Sequence, residues 1–401
     1  MTTHTLVSFL GKGQKDTRSG YRLATYRFAD GQQLETPFFG MALARHIKPD
    51  RLVFLGTNSS MWDALIEHVS HDGHEDLRLA LIDAVTRESV DQPLLDTVQD
   101  AIGTLLDIPI SLRLVSYGRE EQDQRDILSV IADAVPRGKV SFDLTHAFRH
   151  LGMLGLVSAF FIERIGRVDI QGLFYGALDM TTDGITPVLR LDGLLAIQRW
   201  VDALDRFDVT GDYGVFALLL MQDGVPADKA RCLEEAAFHE RTFNLADAVR
   251  KLGTFAPVLD SPLPGASGLF QSKIKERLAW VNEPSLAERQ RKLAYIYLKR
   301  SDYVRAAVLG WEALITRECE SRDLDPLNYK EGREPAEEAL ETDIKSGDVR
   351  DWRHDAYRML KTLRNALAHG NPPKDRRFSR PLQSAETLRQ ELESAFKRLI
   401  G

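Results

Sequence analysis

An α/β half followed by an all-helical half is the fold class this sequence predicts, and three observations carry it. Over the first 200 residues, short β-branched and apolar runs alternate with helix-length stretches, the pattern of βα units around a mostly parallel sheet. From about residue 193 the strand signals stop, and apolar residues recur at three- and four-residue intervals. Three of the early apolar runs are followed by turns of Gly, Thr, Ser and Asp, residues that suit the step from a strand into a helix.

In chain order, strands are expected at Leu6–Leu10, Arg22–Phe28, Arg51–Leu55, Ser111–Ser116, Lys139–Phe142, Asp169–Tyr175 and Pro187–Leu191. Helices separate several of them, at Met61–Val69, Glu121–Ala134 and His146–Ile165. The second run, YRLATYRF followed by DGQQLETP, reads as an inserted hairpin with Asp30-Gly31 as its turn. Beyond it the helical runs are LLAIQRWVDALDRF, DKARCLEEAAFHERTFNLADAVRKL, SLAERQRKLAYIYLKR, DYVRAAVLGWEALITRECESR, DWRHDAYRMLKTLRNALAHG and AETLRQELESAFKRLI. Tyr303, Ala307, Trp311 and Leu314 exemplify the apolar spacing, and Trp311 is expected in a core. The stretch Ser261–Gly268 (SPLPGASG) reads as a loop. The domains expected are 1–200 and 201–401, the second including a helical linker region of about 201–270.

Composition narrows the function. The 401 residues carry 52 Lys+Arg against 59 Asp+Glu, a net charge of −7, which argues against a protein coated in DNA but leaves room for a local basic groove. No apolar run approaches the ~20 residues that span a bilayer, and the start MTTHTLVSFLGKGQ lacks the pattern of a secretion signal. Two cysteines, Cys232 and Cys319, are too few for a disulfide framework or a four-ligand zinc site, so a reducing cytoplasm fits.

The three polar turns are Gly11-Lys12-Gly13, Gly56 to Ser60 (GTNSS) and Asp143 to His146 (DLTH), the last with Arg149 one turn into the next helix. In an open α/β sheet such turns lie at the carboxyl edge, where ligands bind. Small residues admit a close backbone, hydroxyls and amides donate, and Lys12 and Arg149 would add full charge, so the set favours a phosphate-bearing ligand. Each turn alone also reads as a cap or tight turn. Neither a Walker A pattern nor G-x-G-x-x-G is present. His146 and His150 stand four apart, but no further ligand accompanies them, so no metal is expected.

The sharpest element is Arg364-Asn365-Ala366-Leu367-Ala368-His369, followed by Gly370 and then Pro372-Pro373. Helix formers run up to His369, Gly370 suits the left-handed residue after a helix, and Asn365 and His369 share a face. Arginine, amide and imidazole at a helix end fit metal-independent RNA cleavage. The 2′-hydroxyl is the nucleophile, histidine moves protons near neutral pH, and arginine holds phosphate oxygens in a fork. Eight Lys/Arg against two Asp between Arg353 and Arg380 add a basic surround. The bland alternative is a solvated helix end. One Arg–His pair is sparse for acid–base work, so a homodimer with a composite site is expected.

Taken together, the chain resembles the CARF–HEPN ribonucleases of type III CRISPR systems, over nearly its whole length. RNALAHG matches the HEPN R-[polar]-x-x-x-H motif, while FLGKG, FLGTNSS and above all SFDLTHAFRHLGML are similar to CARF segments. The resemblance implies a Rossmann-like CARF sensor domain followed by an all-helical HEPN domain. It implies a cytoplasmic endoribonuclease, switched on when a cyclic oligoadenylate binds the CARF dimer, that cleaves single-stranded RNA. Cyclic tetra-adenylate comes first and hexa-adenylate second, because a two-fold pocket matches an even ring. No cofactor or membrane is implied. By motif match Arg364, Asn365 and His369 carry cleavage, and Gly11, Lys12, Gly13, Thr57, Asn58, Ser59, Thr145, His146 and Arg149 contact the messenger. The alternatives are a ring nuclease that degrades the messenger and a ligand-responsive regulator with an inactive HEPN domain.

Overall fold

The computed structural model describes residues 3–13, 15–16, 20–69, 74–146, 148–166, 168–346 and 351–401. The chain divides into two compact units, Met1–Ala196 and Ile197–Gly401.

The first unit contains the strands β1 (His4–Leu10), β2 (Lys15–Asp16), β3 (Gly20–Tyr21), β4 (Ala24–Arg27), β5 (Gln33–Thr36), β6 (Arg51–Gly56), β7 (Ile110–Leu114), β8 (Gly138–Asp143), β9 (Val168–Gly176) and β10 (Ile185–Arg190). Its helices are α1 (Phe39–Ile47), α2 (Trp62–Val69), α3 (Glu75–Thr86), α4 (Gln92–Leu106), α5 (Glu121–Ala134) and α6 (Arg149–Arg164). Eight strands form one sheet in the order β5-β4-β10-β9-β8-β1-β6-β7. The run β9-β8-β1-β6-β7 is parallel throughout, so each of its strands needs a crossover, and helices supply it.

The apolar runs are near-continuous because both faces of this sheet are covered. In β1, Leu6 and Leu10 pack with α1, α2 and α4 through Met41, Leu65 and Val98, whereas Val7 and Phe9 pack with α5 and α6 through Ile131 and Ile162. The inserted hairpin forms as expected. β4 and β5 pair antiparallel, and Gly31 takes φ 88° in the turn, a conformation glycine adopts without steric cost. The expected strand Arg22–Phe28 is shorter at both ends. The expected strand Pro187–Leu191 begins earlier, at Ile185.

Among the described residues no strand follows β10. α7 (Asp192–Thr210) leads into α8 (Ala217–Gln222), α9 (Ala227–Arg241), α10 (Leu245–Phe255), α11 (Ser267–Leu278), α12 (Leu286–Lys299), α13 (Tyr303–Ser321), α14 (Glu334–Lys345), α15 (Asp351–His369), α16 (Arg376–Ser379) and α17 (Ala385–Leu399). Two expectations are corrected. The run Asp228–Leu252 is not one helix. Phe243 turns left-handed at φ 60°, and the Asn244 side chain accepts the Asp247 amide, so a cap interrupts the apolar periodicity. The expected loop Ser261–Gly268 ends early, because Ser267 already belongs to α11.

No helix among the described residues is long and apolar enough to cross a membrane.

Candidate functional site

The three polar turns all follow parallel strands, β1, β6 and β8, so they emerge at one edge of the sheet. β1 lies between β6 and β8, so the chain's winding reverses there, where a doubly wound sheet opens a crevice. The first two turns are tied together, since Ser60 Oγ donates to the Leu10 carbonyl at 2.7 Å and the Met61 amide to the Gly11 carbonyl at 2.9 Å.

The structure brings some of the expected residues together and not others. Lys12, Gly13 and His146 line one cavity of about 400 Å3, with Arg22, Tyr26 and Thr186. Thr57 and Ser59 do not reach it. Both are buried, their hydroxyls 3.3 Å apart, and the Thr57 amide donates to Ser60 Oγ at 2.9 Å, so these side chains close the turn on itself. Asn58 is more open and accepts the Tyr117 hydroxyl at 2.7 Å. Thr145 receives the Gly176 amide on Oγ1 at 2.7 Å, which ties its turn to the end of β9. Arg149, the first residue of α6, is exposed and has no ion pair among the described residues.

His146 brings no full positive charge to the cavity. Its Nε2 accepts the Phe39 amide at 2.9 Å, and burial pushes its pKa down to about 4. The ring is therefore neutral, with Nδ1 carrying the proton. Lys12 is exposed and forms an ion pair with Glu88 at 2.5 Å, so a phosphate would have to compete for it. Arg22, which sequence reasoning missed, supplies the cavity with a cation that has no ion pair among the described residues. Asp143, which the sequence marks as part of the turn but not as a site residue, organises it. It lies at the core's edge, accepts Ser8 Oγ at 2.6 Å and the Thr145 amide at 2.8 Å, and burial pushes its pKa up to about 6. His150 donates from Nε2 to the Tyr117 carbonyl at 2.7 Å.

The second cluster sits in the helical unit. α15 ends at His369, Gly370 takes φ 64°, and the Asn371 amide returns to the Ala366 carbonyl at 3.2 Å, a Schellman closure. Asn365 and His369 are exposed. Arg364 turns the other way, with its guanidinium over the Trp311 ring at 5.0 Å. Its Nε is buried and has no hydrogen-bond partner among the described residues. Trp311 is in the core, as its spacing predicts, and it also serves as the platform for Arg364.

Two residues outside the motif complete this neighbourhood. Arg333, at the end of a π-turn Tyr329–Arg333, forms an ion pair with Glu312 on α13. Burial pushes the Glu312 carboxyl up, and the charges of Arg333 and Arg364 pull it back. Glu312 next to Trp311 was visible in the sequence, but nothing in it indicated Arg333 as the partner.

The basic surround is partly neutralised. Arg353 pairs with Glu318 at 2.9 Å, Lys361 with Glu337 at 3.0 Å and Arg377 with Asp355 at 2.8 Å. Lys374, Arg376 and Arg380 are exposed and carry no ion pair among the described residues.

Comparison with known proteins bears on the first unit most directly. Residues 5–179 match the family model of the CARF domain of the CRISPR system endoribonuclease Csx1. Over 92% of its length the chain is 23% identical to the CRISPR-associated protein MJ1674 of Methanocaldococcus jannaschii, and it spans 62% of that relative. Enterococcus italicus Csm6 bound to cyclic hexa-2′-fluoro-hexa-dAMP aligns over 99% of this chain and 94% of its own, at 11% identity and a TM-score of 0.38.

Proposed function

We propose that this chain, whose residues 5–179 match the Csx1 CARF domain model, is a CARF–HEPN endoribonuclease of a type III CRISPR system, switched on by a cyclic oligoadenylate. The observation that carries the reading is Arg364, seated on Trp311 with a buried unpaired N–H, five residues before an exposed His369 at a capped helix end. A buried donor without a partner costs roughly 1–3 kcal/mol, and a phosphate oxygen would satisfy it once the Arg364 side chain swings towards the exposed face of α15.

In the proposed reaction the 2′-hydroxyl of the RNA loses its proton and attacks the adjacent phosphorus. The 5′-oxygen leaves and takes up a proton. The products are a 2′,3′-cyclic phosphate and a 5′-hydroxyl. Arg364 neutralises charge on the phosphoryl oxygens, His369 moves the proton, and Asn365 on the same exposed face orients the substrate. One chain offers one imidazole, so the site is composite, with a second copy supplying the other proton carrier.

A dimer has a surface in the sensor unit. Met153 (69% exposed), Val157 (49%), Phe161 (40%) and Ile165 (44%) follow one another at four-residue spacing along α6 and just past its end. The messenger, cyclic tetra-adenylate first, would meet the cavity of Lys12, Arg22, Tyr26 and His146. Binding favours an active arrangement through differential affinity.

The test supplies cyclic adenylates of three to six units one at a time, with EDTA and a labelled single-stranded RNA. RNA loss with the four-membered ring, abolished in His369→Ala while messenger binding persists, is the expected result. Full activity in a clean His369→Ala preparation would remove the site assignment. Loss of the ring with the RNA intact would make the protein a ring nuclease.

A further inference from the structure

Arg358, Asn365 and His369 share one face of α15, because seven and eleven residues make about two and three helical turns. All three are exposed. At ~1.5 Å of rise per residue, Arg358 stands about 16 Å from His369 along the axis. It carries no ion pair among the described residues.

After His369 the chain turns at Gly370 and comes back along the same helix. Two contacts hold the returning segment there. Phe378 of α16 is buried, with the guanidinium of Arg358 at 5.5 Å and that of Arg377 at 5.6 Å from its ring centre. Arg377 also pairs with Asp355, three residues before Arg358, at 2.8 Å. Arg376 and Arg380 flank Phe378 by two residues on either side, and Lys374 precedes them. These three are exposed and carry no ion pair among the described residues. The acidic groups of the stretch are engaged: Asp355 is neutralised by Arg377, and Asp375 accepts the Arg377 amide at 2.9 Å.

We propose that Arg358, Lys374, Arg376 and Arg380 form a track for the sugar–phosphate backbone of single-stranded RNA, leading away from His369. The inference rests on the ribonuclease reading and extends it from the cut phosphate to the strand beside it. Four unpaired positive charges close together repel one another, and this chain carries them despite a net charge of −7. A polyanion relieves that repulsion and releases its own counterions as it binds. Phe378 is buried beneath Arg358, so what the track presents is charge. It therefore holds the backbone of any sequence, and Asn365 and His369 meet the strand on the same helix face.

The experiment is fluorescence anisotropy of the full-length chain with a labelled RNA strand of mixed sequence whose 2′-hydroxyls are all methylated, so that it binds without being cut. Lys374→Ala, Arg376→Ala and Arg380→Ala together should lower affinity at least about tenfold at about 0.1 M salt and reduce the slope of log Kd against log salt by about 2. Arg376→Lys with Arg380→Lys should keep the parent's affinity, because the track needs charge. Arg231→Ala, Lys275→Ala and Lys299→Ala together remove the same charge from exposed positions elsewhere in the helical unit and should leave binding unchanged. The proposal is overturned if the first triple variant binds like the parent, if the second loses as much, or if a polyglutamate peptide displaces the strand as well as unlabelled RNA does. Binding through the track without RNA cleavage under any cyclic adenylate would keep the track and remove the ribonuclease reading. Normal cleavage with binding insensitive to the first three changes would keep that reading and remove the track.

Discussion

Asp143 and His146 stand three residues apart and respond to pH in opposite directions. Burial raises the Asp143 pKa from 3.8 to about 6, so the folded chain holds that proton more tightly than the unfolded chain, and stability falls as pH rises through this window. Burial lowers the His146 pKa from 6.5 to about 4, so the unfolded chain binds more protons there, and stability rises as pH rises from 4 to 6.5. Each linkage is worth roughly 3 kcal/mol, and in the parent they nearly cancel between pH 4 and 6. Urea unfolding across that range should separate them. Asp143→Asn should gain stability relative to the parent as pH rises, and His146→Gln should lose it. Variant curves parallel to the parent's would show that the two burials carry no such linkage. At this scale the sequence was only half legible. It marked the turns, but Lys12 is tied to Glu88, 76 positions away, and no local pattern announces such a pair. Likewise the hydroxyls of Thr57 and Ser59 look available in the sequence, yet they turn inward once Trp62 donates to the Thr57 carbonyl and pins the loop.

At the scale of elements, three helices hold the Arg–Asn–x–x–x–His motif. Neighbouring residues of α13 serve two partners. Gly310 admits the Phe396 ring of α17, where an added Cβ would lie well inside contact distance, and Trp311 packs against Tyr357 of α15 with ring centroids 5.4 Å apart. Alanine at Gly310 should therefore cost about 1–3 kcal/mol by overpacking. At Gly370 space is open and only the left-handed backbone resists, so alanine should cost about 1 kcal/mol. Thermal unfolding of both variants tests the ranking, and a larger loss at Gly370 than at Gly310 would contradict this account of the bundle. The end of α15 was readable in the sequence from the change from helix formers to Gly370 and the prolines, because capping is a local event. The break between α9 and α10 was not, because Leu245, Ala248 and Leu252 resume a periodic pattern that hides the cap at Asn244.

At the scale of the whole molecule, the exposed stripe of α6 bears on the proposed dimer. Its buried face, Leu151, Gly155, Ala159 and Ile162, is occupied by the sheet, so Met153 and Phe161 are free to change without disturbing the core. Met153→Glu combined with Phe161→Glu should turn a dimer into a monomer by light scattering and abolish messenger-activated RNA cleavage. A double variant that remains a dimer would place the interface elsewhere. The order β9-β8-β1-β6-β7 gathers the three polar turns at one edge, where residues of the first and third share a cavity.

The sequence by itself determined the class of each half, the strand and helix segments with strong periodicity, and the helix end that presents His369, because propensity, amphipathic spacing and caps act over a few residues. Only the tertiary structure decided which turns share a cavity, which cations are already neutralised, and that Arg364 rests on Trp311 beside the Glu312–Arg333 pair. Those outcomes depend on burial and on partners far apart in the chain, and desolvation and charge pairing are set by what surrounds a group in space.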